Sequence, residues 1–109
     1  MRDRIIVAKM KQYTEKIIRY TKDMNYESFS KNSVLVEACV FNLSQIGELT
    51  SRVSKDFETQ HAEISWRQLY GLRNRIVHDY DGVNLRLVWE IIEADIPDLL
   101  MKLETLIDE

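Results

Sequence analysis

The apolar residues in the last part of the chain recur at alternating steps of four and three, which constrains the fold more than any other feature. Residues at these steps lie along one face of an α-helix. The pattern predicts a helix from Asn84 to about Ile107 with a continuous apolar seam, as in a helix bundle. The seam consists of Leu85, Trp89, Ile92, Ile96, Leu99, Leu103 and Leu106.

Pro97 lies in the middle of this seam. Proline lacks the backbone N–H that a helix interior needs, and its ring crowds the preceding turn. We therefore expect Pro97 to kink the helix, or to divide it in two with Asp95 as the cap of the second part.

Three further segments have helical spacing. The first runs from about Asp3 to Lys22, the second from about Ser33 to Asp56, and the third from Ser65 to a frayed end near His78. The segments between them, 25–30 and 60–63, are predicted to be polar breaks without regular structure.

Ser65 to Gln68 has the residue types of a capping box, in which the Ser65 hydroxyl accepts a hydrogen bond from the backbone amide of Gln68. Asp81 and Gly82 then predict a turn. No strand pattern competes with these helices. We predict an all-α fold, an up-and-down bundle of four to five helices, with residues 1–109 as a single domain.

Cysteine use and hydropathy exclude several classes of protein. The only cysteine, Cys39, cannot form an internal disulfide, and its neighbours Ala38 and Val40 predict a buried thiol in a reducing cytoplasm. No cysteine and histidine spacing predicts a zinc site. No segment approaches the roughly 18 apolar residues of a membrane span, and no signal-peptide pattern opens the chain. We expect a cytoplasmic protein without metal or cofactor.

The net charge of −3 argues against a general nucleic-acid-binding protein. The segment from Trp66 to His78 is different, because it contains Arg67, Arg73 and Arg75 and no acidic residue. We expect this patch to be the part of the chain that attracts phosphate.

The residues from Arg73 to Tyr80 combine a permanent cation, an amide, an imidazole and a phenol. Asn74 and His78 are four residues apart and would share a face of a helix. Arg73 and His78 would lie roughly 140° apart around an ideal helix. They can converge only if the helix loosens near His78, or if a second copy of the chain completes the site.

These residue types suit RNA cleavage without a metal ion. A histidine can take or give a proton near neutral pH, and an arginine can stabilise negative charge on phosphate oxygens. The spacing by itself is a weak signal, because an arginine and a histidine this close occur by chance in many helices.

The pattern Arg73-x4-His78-x-Tyr80 resembles the arginine-to-histidine motif of the HEPN superfamily, and the wider chain resembles its HepT branch. The resemblance extends in order over nearly the whole chain, from Arg2-Asp3 onward. Beyond the motif it rests on the segments Phe41–Glu48, Gly71–Asn74, His78–Tyr80, Val88–Trp89 and Ile96–Leu99.

The resemblance implies a helical bundle that forms a homodimer, with the two motifs facing each other across a cleft. It implies a toxin of a type VII-like toxin–antitoxin system that cleaves or trims RNA, transfer RNA being the expected target, without metal. Arg73 and His78 inherit the catalytic roles, with Asn74 and Arg75 supporting them. Tyr80 matches the tyrosine to which a partner nucleotidyltransferase of the MNT type adds AMP, which silences the toxin.

Two other functions remain open. The chain can be a non-catalytic nucleotide- or partner-binding module that works with a nucleotidyltransferase, or a purely structural helical dimer. In those cases His78 caps a helix end, Arg73 forms a surface salt bridge with Glu48, and Tyr80 is half-buried packing.

Neighbouring polar residues also have a structural interpretation beside the functional one. If the chain is not a ribonuclease, Arg75 is a solvated helix residue. Asn42 and Gln45 are interpreted as hydrogen-bonding residues at the edge of the core, with a place in the lining of a cleft as the alternative.

Overall fold

The fold is a bundle of helices with one short pair of strands. The computed structural model describes residues 2–79 and 82–108, of which 77–79 and 82–83 are described as backbone. The helices are α1 (Arg2–Thr21), α2 (Tyr26–Ser30), α3 (Ser33–Thr50), α4 (Lys55–Gln60), α5 (Trp66–Tyr70), α6 (Leu72–Ile76), α7 (Leu85–Glu90) and α8 (Ile96–Ile107), and the strands are β1 (Val77–Asp79) and β2 (Gly82–Val83).

Helix α1 packs against both α3 and α8. Its buried face carries Val7, Met10 and Ile17, which are fully shielded from solvent, and Thr14 lies on the same face. The Thr14 hydroxyl donates to the Met10 carbonyl at 2.8 Å, so that this buried polar group is satisfied within its own helix. The prediction of a helical bundle is confirmed.

The predicted third helix is interrupted and ends early. It divides at Gly71, and its second part, α6, ends at Ile76 instead of near His78. Beyond that point the Ile76 carbonyl accepts a hydrogen bond from the Asn84 N–H at 3.1 Å. The β-branched Val77 then pairs with Val83 in an antiparallel ladder. The expectation that no strand occurs is therefore wrong for this short segment.

The prediction of a capping box at Ser65 is also wrong. Ser65 precedes α5, but its side chain makes no capping hydrogen bond. The Trp66 N–H instead donates to the Ile64 carbonyl at 2.9 Å, so the chain enters α5 through a tighter turn. A true capping box is formed by Asn25 and Ser28 at the start of α2.

The segment 25–30, predicted to be a polar break, therefore contains a short helix. This helix, α2, buries the Phe29 ring with its centroid 5.0 Å from that of Trp89. The predicted second helix also stops at Thr50, and α4 follows as a separate helix.

Pro97 is accommodated by a π-helical turn over Ile91–Asp95, which joins α7 to α8. In this turn the Ile96 N–H donates to the carbonyl of Ile91, five residues earlier. Pro97 thus falls in the first turn of α8, directly after the wider π-helical turn, where helices tolerate proline. Asp95 does precede α8 as expected, but its side chain makes no capping hydrogen bond.

Cys39 is fully buried on α3, as predicted, and burial raises the pKa of its thiol to about 11. No helix among the described residues is long and apolar enough to cross a membrane.

The N-terminus of α1 is tied to the N-terminus of α4. The Ser54 backbone N–H and hydroxyl donate to the two carboxylate oxygens of Asp3 at 2.9 and 2.8 Å. The same hydroxyl accepts from the Phe57 N–H and so caps α4. The backbone hydrogen bond from Ser54 is the main cause that lowers the pKa of Asp3 from its ordinary value.

Candidate functional site

Gly47 sets the distance between α3 and the break between α5 and α6. A Cβ atom at Gly47 would lie 3.0 Å from the Leu69 carbonyl oxygen and 3.8 Å from the Leu72 Cβ. The first distance is tighter than Cβ contacts usually are, so a side chain at this position would push the two backbones slightly apart. The approach brings the start of α6 beside α3.

Arg73 and Asn74, both exposed on α6, line an open cleft against α3. The cleft has a volume of about 550 Å³. The structure thus brings together the predicted catalytic arginine and its predicted supporting amide. The other residues that line the cleft are Phe41, Ser44, Gln45, Gly47, Glu48, Ser51 and Tyr70.

Within the described residues, Arg73 forms no ion pair. The salt bridge to Glu48 considered from the sequence is absent, because the Glu48 carboxylate lies 3.8 Å from the Arg52 guanidinium instead. That pair is exposed and contributes little to stability. The Arg73 guanidinium therefore faces the cleft without a partner from the described residues, where it can accept an anionic ligand.

Asn42 and Gln45 have different environments. Asn42 is buried, and its amide Nδ2 donates to the Ala38 carbonyl at 2.7 Å, as expected for a residue at the edge of the core. Gln45, one helical turn further on, is partly exposed and lines the cleft with Arg73. For Gln45 the structure therefore favours the alternative, a place in the lining of the cleft.

The backbone of His78 lies in β1, outside the helix that carries Arg73 and Asn74. The prediction that Asn74 and His78 share a helical face is wrong, because α6 ends at Ile76. The loosening that would let Arg73 and His78 converge does occur, between Ile76 and Val77. The side chain of His78 and the whole of Tyr80 lie outside the described residues.

The three arginines between Trp66 and His78 do not form one surface. Arg67 lines a second groove with Lys55 and Glu58. Arg75 lines a narrow groove of about 70 Å³, where Asp95 and Asp98 are its acidic neighbours. The expected single phosphate-attracting patch is therefore divided, because Arg75 lines a groove of its own, whereas the grooves of Arg67 and Arg73 adjoin through Ser51 and Tyr70.

Two exposed aromatic residues that line the cleft, Phe41 and Tyr70, were not predicted from the sequence. Their relative exposures, 56% and 64%, are high for such apolar side chains. A signal for Phe41 was present, since it lies seven residues after Val34 on the polar side of α3. Tyr70 had no such signal, because its exposure depends on the break at Gly71.

His61, the second histidine of the chain, is a packing residue. It is buried, its ring centroid is 4.4 Å from that of Phe57, and its carbonyl accepts from the Trp66 indole N–H at 2.9 Å. Among the described residues, no group of three or more His, Cys, Asp and Glu side chains is arranged to hold a metal ion.

Comparison with known proteins gives one consistent family. Residues 10–106 match the family described as "Ribonuclease HepT-like". A protein of Caldanaerobacter subterraneus subsp. tengcongensis named as a "Putative RNase" is 38% identical over 88 residues, which cover 81% of this chain and 79% of that protein.

Two archaeal proteins are similar to a comparable degree. A "Putative RNase" of Methanocaldococcus jannaschii is 34% identical over 97 residues, covering 89% of this chain and 84% of its own length. The "Probable ribonuclease HepT" of Thermococcus cleftensis is 34% identical over 92 residues, covering 84% of each chain. No solved structure matches the chain significantly.

Proposed function

Because the chain belongs to the HepT-like ribonuclease family, we propose that it is a metal-independent ribonuclease whose reaction is carried out by Arg73 and His78. The observation that carries this proposal is the position of Arg73, exposed at an open cleft and without an ion pair within the described residues. A planar guanidinium with several N–H donors suits the oxygens of a phosphate whose negative charge grows during the reaction.

The proposed reaction begins with attack of a 2′-hydroxyl oxygen on the adjacent phosphorus. The hydroxyl proton passes to a base, and the bond from phosphorus to the 5′ oxygen breaks as an acid protonates that oxygen. A neutral imidazole can serve as the base and an imidazolium as the acid. Arg73 stabilises the charged phosphorane, and Asn74 positions the phosphate.

A homodimer with its cleft at the interface supplies two copies of His78, one for each proton transfer. We propose this arrangement from the family resemblance. It is supported by the two large aromatic side chains, Phe41 and Tyr70, that the single chain leaves exposed at the cleft. Arg75 lines a different groove, so we propose that it contacts phosphates of the RNA outside the cleft.

The biological role proposed from the resemblance is that of a cytoplasmic toxin in a type VII-like toxin–antitoxin system, with transfer RNA as substrate. A partner nucleotidyltransferase would silence it by adding AMP to Tyr80. A bulky anionic group beside His78 in the sequence would repel the phosphates of the substrate. We further propose that residues 1–109 act as one domain.

The alternative is a nucleotide- or partner-binding module without catalysis. An open cleft lined by two exposed aromatic residues, and by an arginine that forms no ion pair with the described residues, would also suit a bound nucleotide. The two functions differ in one respect, because only the ribonuclease breaks RNA.

The test is to purify the wild type, His78→Ala and Arg73→Ala without a partner, and to incubate each with total transfer RNA in EDTA. Arg52→Ala is the matched control, since it removes an exposed arginine beside the same cleft. We expect cleavage by the wild type and the control, and a loss of roughly 10²–10⁴-fold in both site variants. Circular dichroism checks that all four proteins are folded.

Intact RNA with a wild type whose mass contains no added AMP would overturn the ribonuclease proposal and favour the binding module. If the intact mass shows AMP on Tyr80, treatment with a phosphodiesterase should remove the AMP and restore RNA cleavage. Equal cleavage by the wild type and His78→Ala would remove His78 from the mechanism.

A further inference from the structure

The positive charge of the chain is concentrated in its first helix. The segment 2–22 contains seven of the chain's 15 basic residues and only two of its 18 acidic residues, which gives it a charge of +5. The rest of the chain carries eight basic and 16 acidic residues and therefore has a charge of −8. The net charge of −3 does not show this uneven distribution of charge.

Four of these cations line one side of α1. Arg2, Lys9, Lys16 and Arg19 recur at steps of seven, seven and three, which places them on the same face of a helix. Val7, Met10 and Ile17 face the core, and Arg2, Lys9 and Arg19 are exposed. We call these four residues the basic face. It extends over roughly 26 Å at the usual rise of a helix.

None of the seven basic residues of this segment forms an ion pair within the described part of the chain. One of its two acids, Asp3, is occupied by its hydrogen bonds to Ser54. Lys16 and Arg19 lie over the rings of Tyr13 and Tyr20, at 5.4 and 6.0 Å from the ring centroids. Their charges are thus held along the surface of α1.

We propose that the basic face binds the sugar–phosphate backbone of RNA outside the cleft, independently of base sequence. A line of cations without an acid among them matches a line of phosphates, and binding releases the counterions of those phosphates. The rest of the chain is acidic overall, so the summed field of the molecule favours the approach of RNA at α1. The choice of RNA as the polyanion rests on the proposed ribonuclease function.

A chain of contacts connects the basic face to the cleft. Asp3, next to Arg2, is bonded to Ser54, and Ser54 precedes Lys55 of the second groove. The second groove shares Ser51 and Tyr70 with the cleft. RNA that leaves the cleft through this groove would reach α1 at its N-terminal end.

A second copy of the chain is a less suitable occupant of the basic face. In a two-fold symmetric dimer the same surface patch of both copies meets. Contact through the basic face would therefore set like charges against each other without compensation. Phosphate supplies the opposite charge, and an extended RNA supplies it along the whole length of the helix.

The test compares two triple variants in the His78→Ala background, so that RNA is not cut. The first, Lys9→Gln/Lys16→Gln/Arg19→Gln, neutralises the basic face. The control, Lys11→Gln/Lys22→Gln/Lys31→Gln, removes the same charge from cations that lie outside the basic face and line neither the cleft nor the two other grooves. Binding of labelled bulk transfer RNA is measured at several salt concentrations.

We expect the basic-face variant to bind at least about tenfold more weakly than the control at low salt. The slope of log K against log salt should fall by about three, one for each lost phosphate contact. Equal affinities and equal salt slopes of the two triple variants would overturn the proposal. It would also be overturned if the basic-face variant kept its affinity for RNA but lost self-association in sedimentation, which would identify α1 as a protein interface.

These outcomes are independent of catalysis. If RNA binds through the basic face but the wild type never cuts it, the ribonuclease proposal fails and this inference stands. If the wild type cuts RNA and the two triple variants bind it equally, this inference fails and the ribonuclease proposal stands.

Discussion

At the scale of single residues, the site depends on Gly47 as much as on the charged groups. Arg73 and Asn74 are predicted as site residues through the family resemblance of their motif, since their spacing alone is a weak signal. Their placement against α3 could not be predicted, because it depends on a backbone contact between Gly47 and Leu69, which are far apart in sequence. The environment of Gln45 could not be decided from the sequence for the same reason, since nothing in its own helix indicates the element that faces it.

Replacing Gly47 with alanine should move α5 and α6 away from α3. The added methyl group would meet the Leu69 carbonyl at 3.0 Å. We expect the free energy of unfolding to fall by about 1–2 kcal/mol, even after the gain in helix propensity, and RNA cleavage to fall with it. Chemical denaturation and the cleavage assay measure the two effects.

Gly71→Ala is the matched control. Its added methyl group would lie 3.7 Å from the nearest atom, an ordinary contact, and its φ of −87° suits any residue. We expect no loss of stability, or a gain of about 0.4–1 kcal/mol. An equal loss of stability in both variants would show that the close approach at Gly47 is not the cause.

At the scale of the elements, periodicity predicted the long helices correctly. Each of α1, α3 and α8 buries a stripe that is visible in the sequence. The short elements were missed, because they are fixed by contacts over longer distances in the chain. The backbone hydrogen bond from the Asn84 N–H to the Ile76 carbonyl joins the end of α6 to the residue that follows β2. Neither side chain indicates this contact in the sequence.

The π-helical turn before α8 predicts whether replacing Pro97 raises or lowers the free energy of unfolding. A proline in the interior of a helix costs about 3 kcal/mol, so its replacement would normally stabilise the protein. Pro97 lies instead in the first turn of α8, where that cost is absent. Pro97→Ala should therefore lower the free energy of unfolding by about 0.4–1 kcal/mol, through the greater freedom of the unfolded chain.

Denaturation in urea measures this change. A stabilisation approaching 3 kcal/mol would mean that Pro97 strains the helix. That result would contradict the account of the π-helical turn as the feature that accommodates proline.

At the scale of the whole molecule, the distribution of charge differs from what the sequence suggested. The arginines between Trp66 and His78 are close in sequence, yet they line different grooves, of which only those of Arg67 and Arg73 adjoin. The cations of α1 are spread over a long segment, and only the helix aligns them. A run of charge in a sequence is therefore a poor guide to a charged surface when the chain bends within the run.

The proposed dimer can be tested at the same scale through Phe41. This residue is 56% exposed at the cleft, and Met101 on α8 is 59% exposed on a surface away from the cleft lining. We expect Phe41→Ser to weaken dimerisation by about 2 kcal/mol, roughly 30-fold, because buried aromatic residues dominate such interfaces. Met101→Ser should leave the dimer intact.

Sedimentation over a range of protein concentrations measures both dissociation constants. Cleavage should fall in Phe41→Ser at concentrations where it is monomeric, and recover as the concentration rises. A monomeric wild type with full activity would exclude a site completed by a second copy.

The burial of Cys39 has a practical consequence. A thiol with a pKa near 11 inside α3 stays protonated and shielded from alkylating reagents while the protein is folded. The native protein therefore already behaves, toward such reagents, as a cysteine-free background. A cysteine introduced at Gln12 on α1, or at Ser44 in the cleft, would be the only reactive thiol and could carry a photo-crosslinker. The path of a bound RNA could then be mapped nucleotide by nucleotide without first removing the native cysteine.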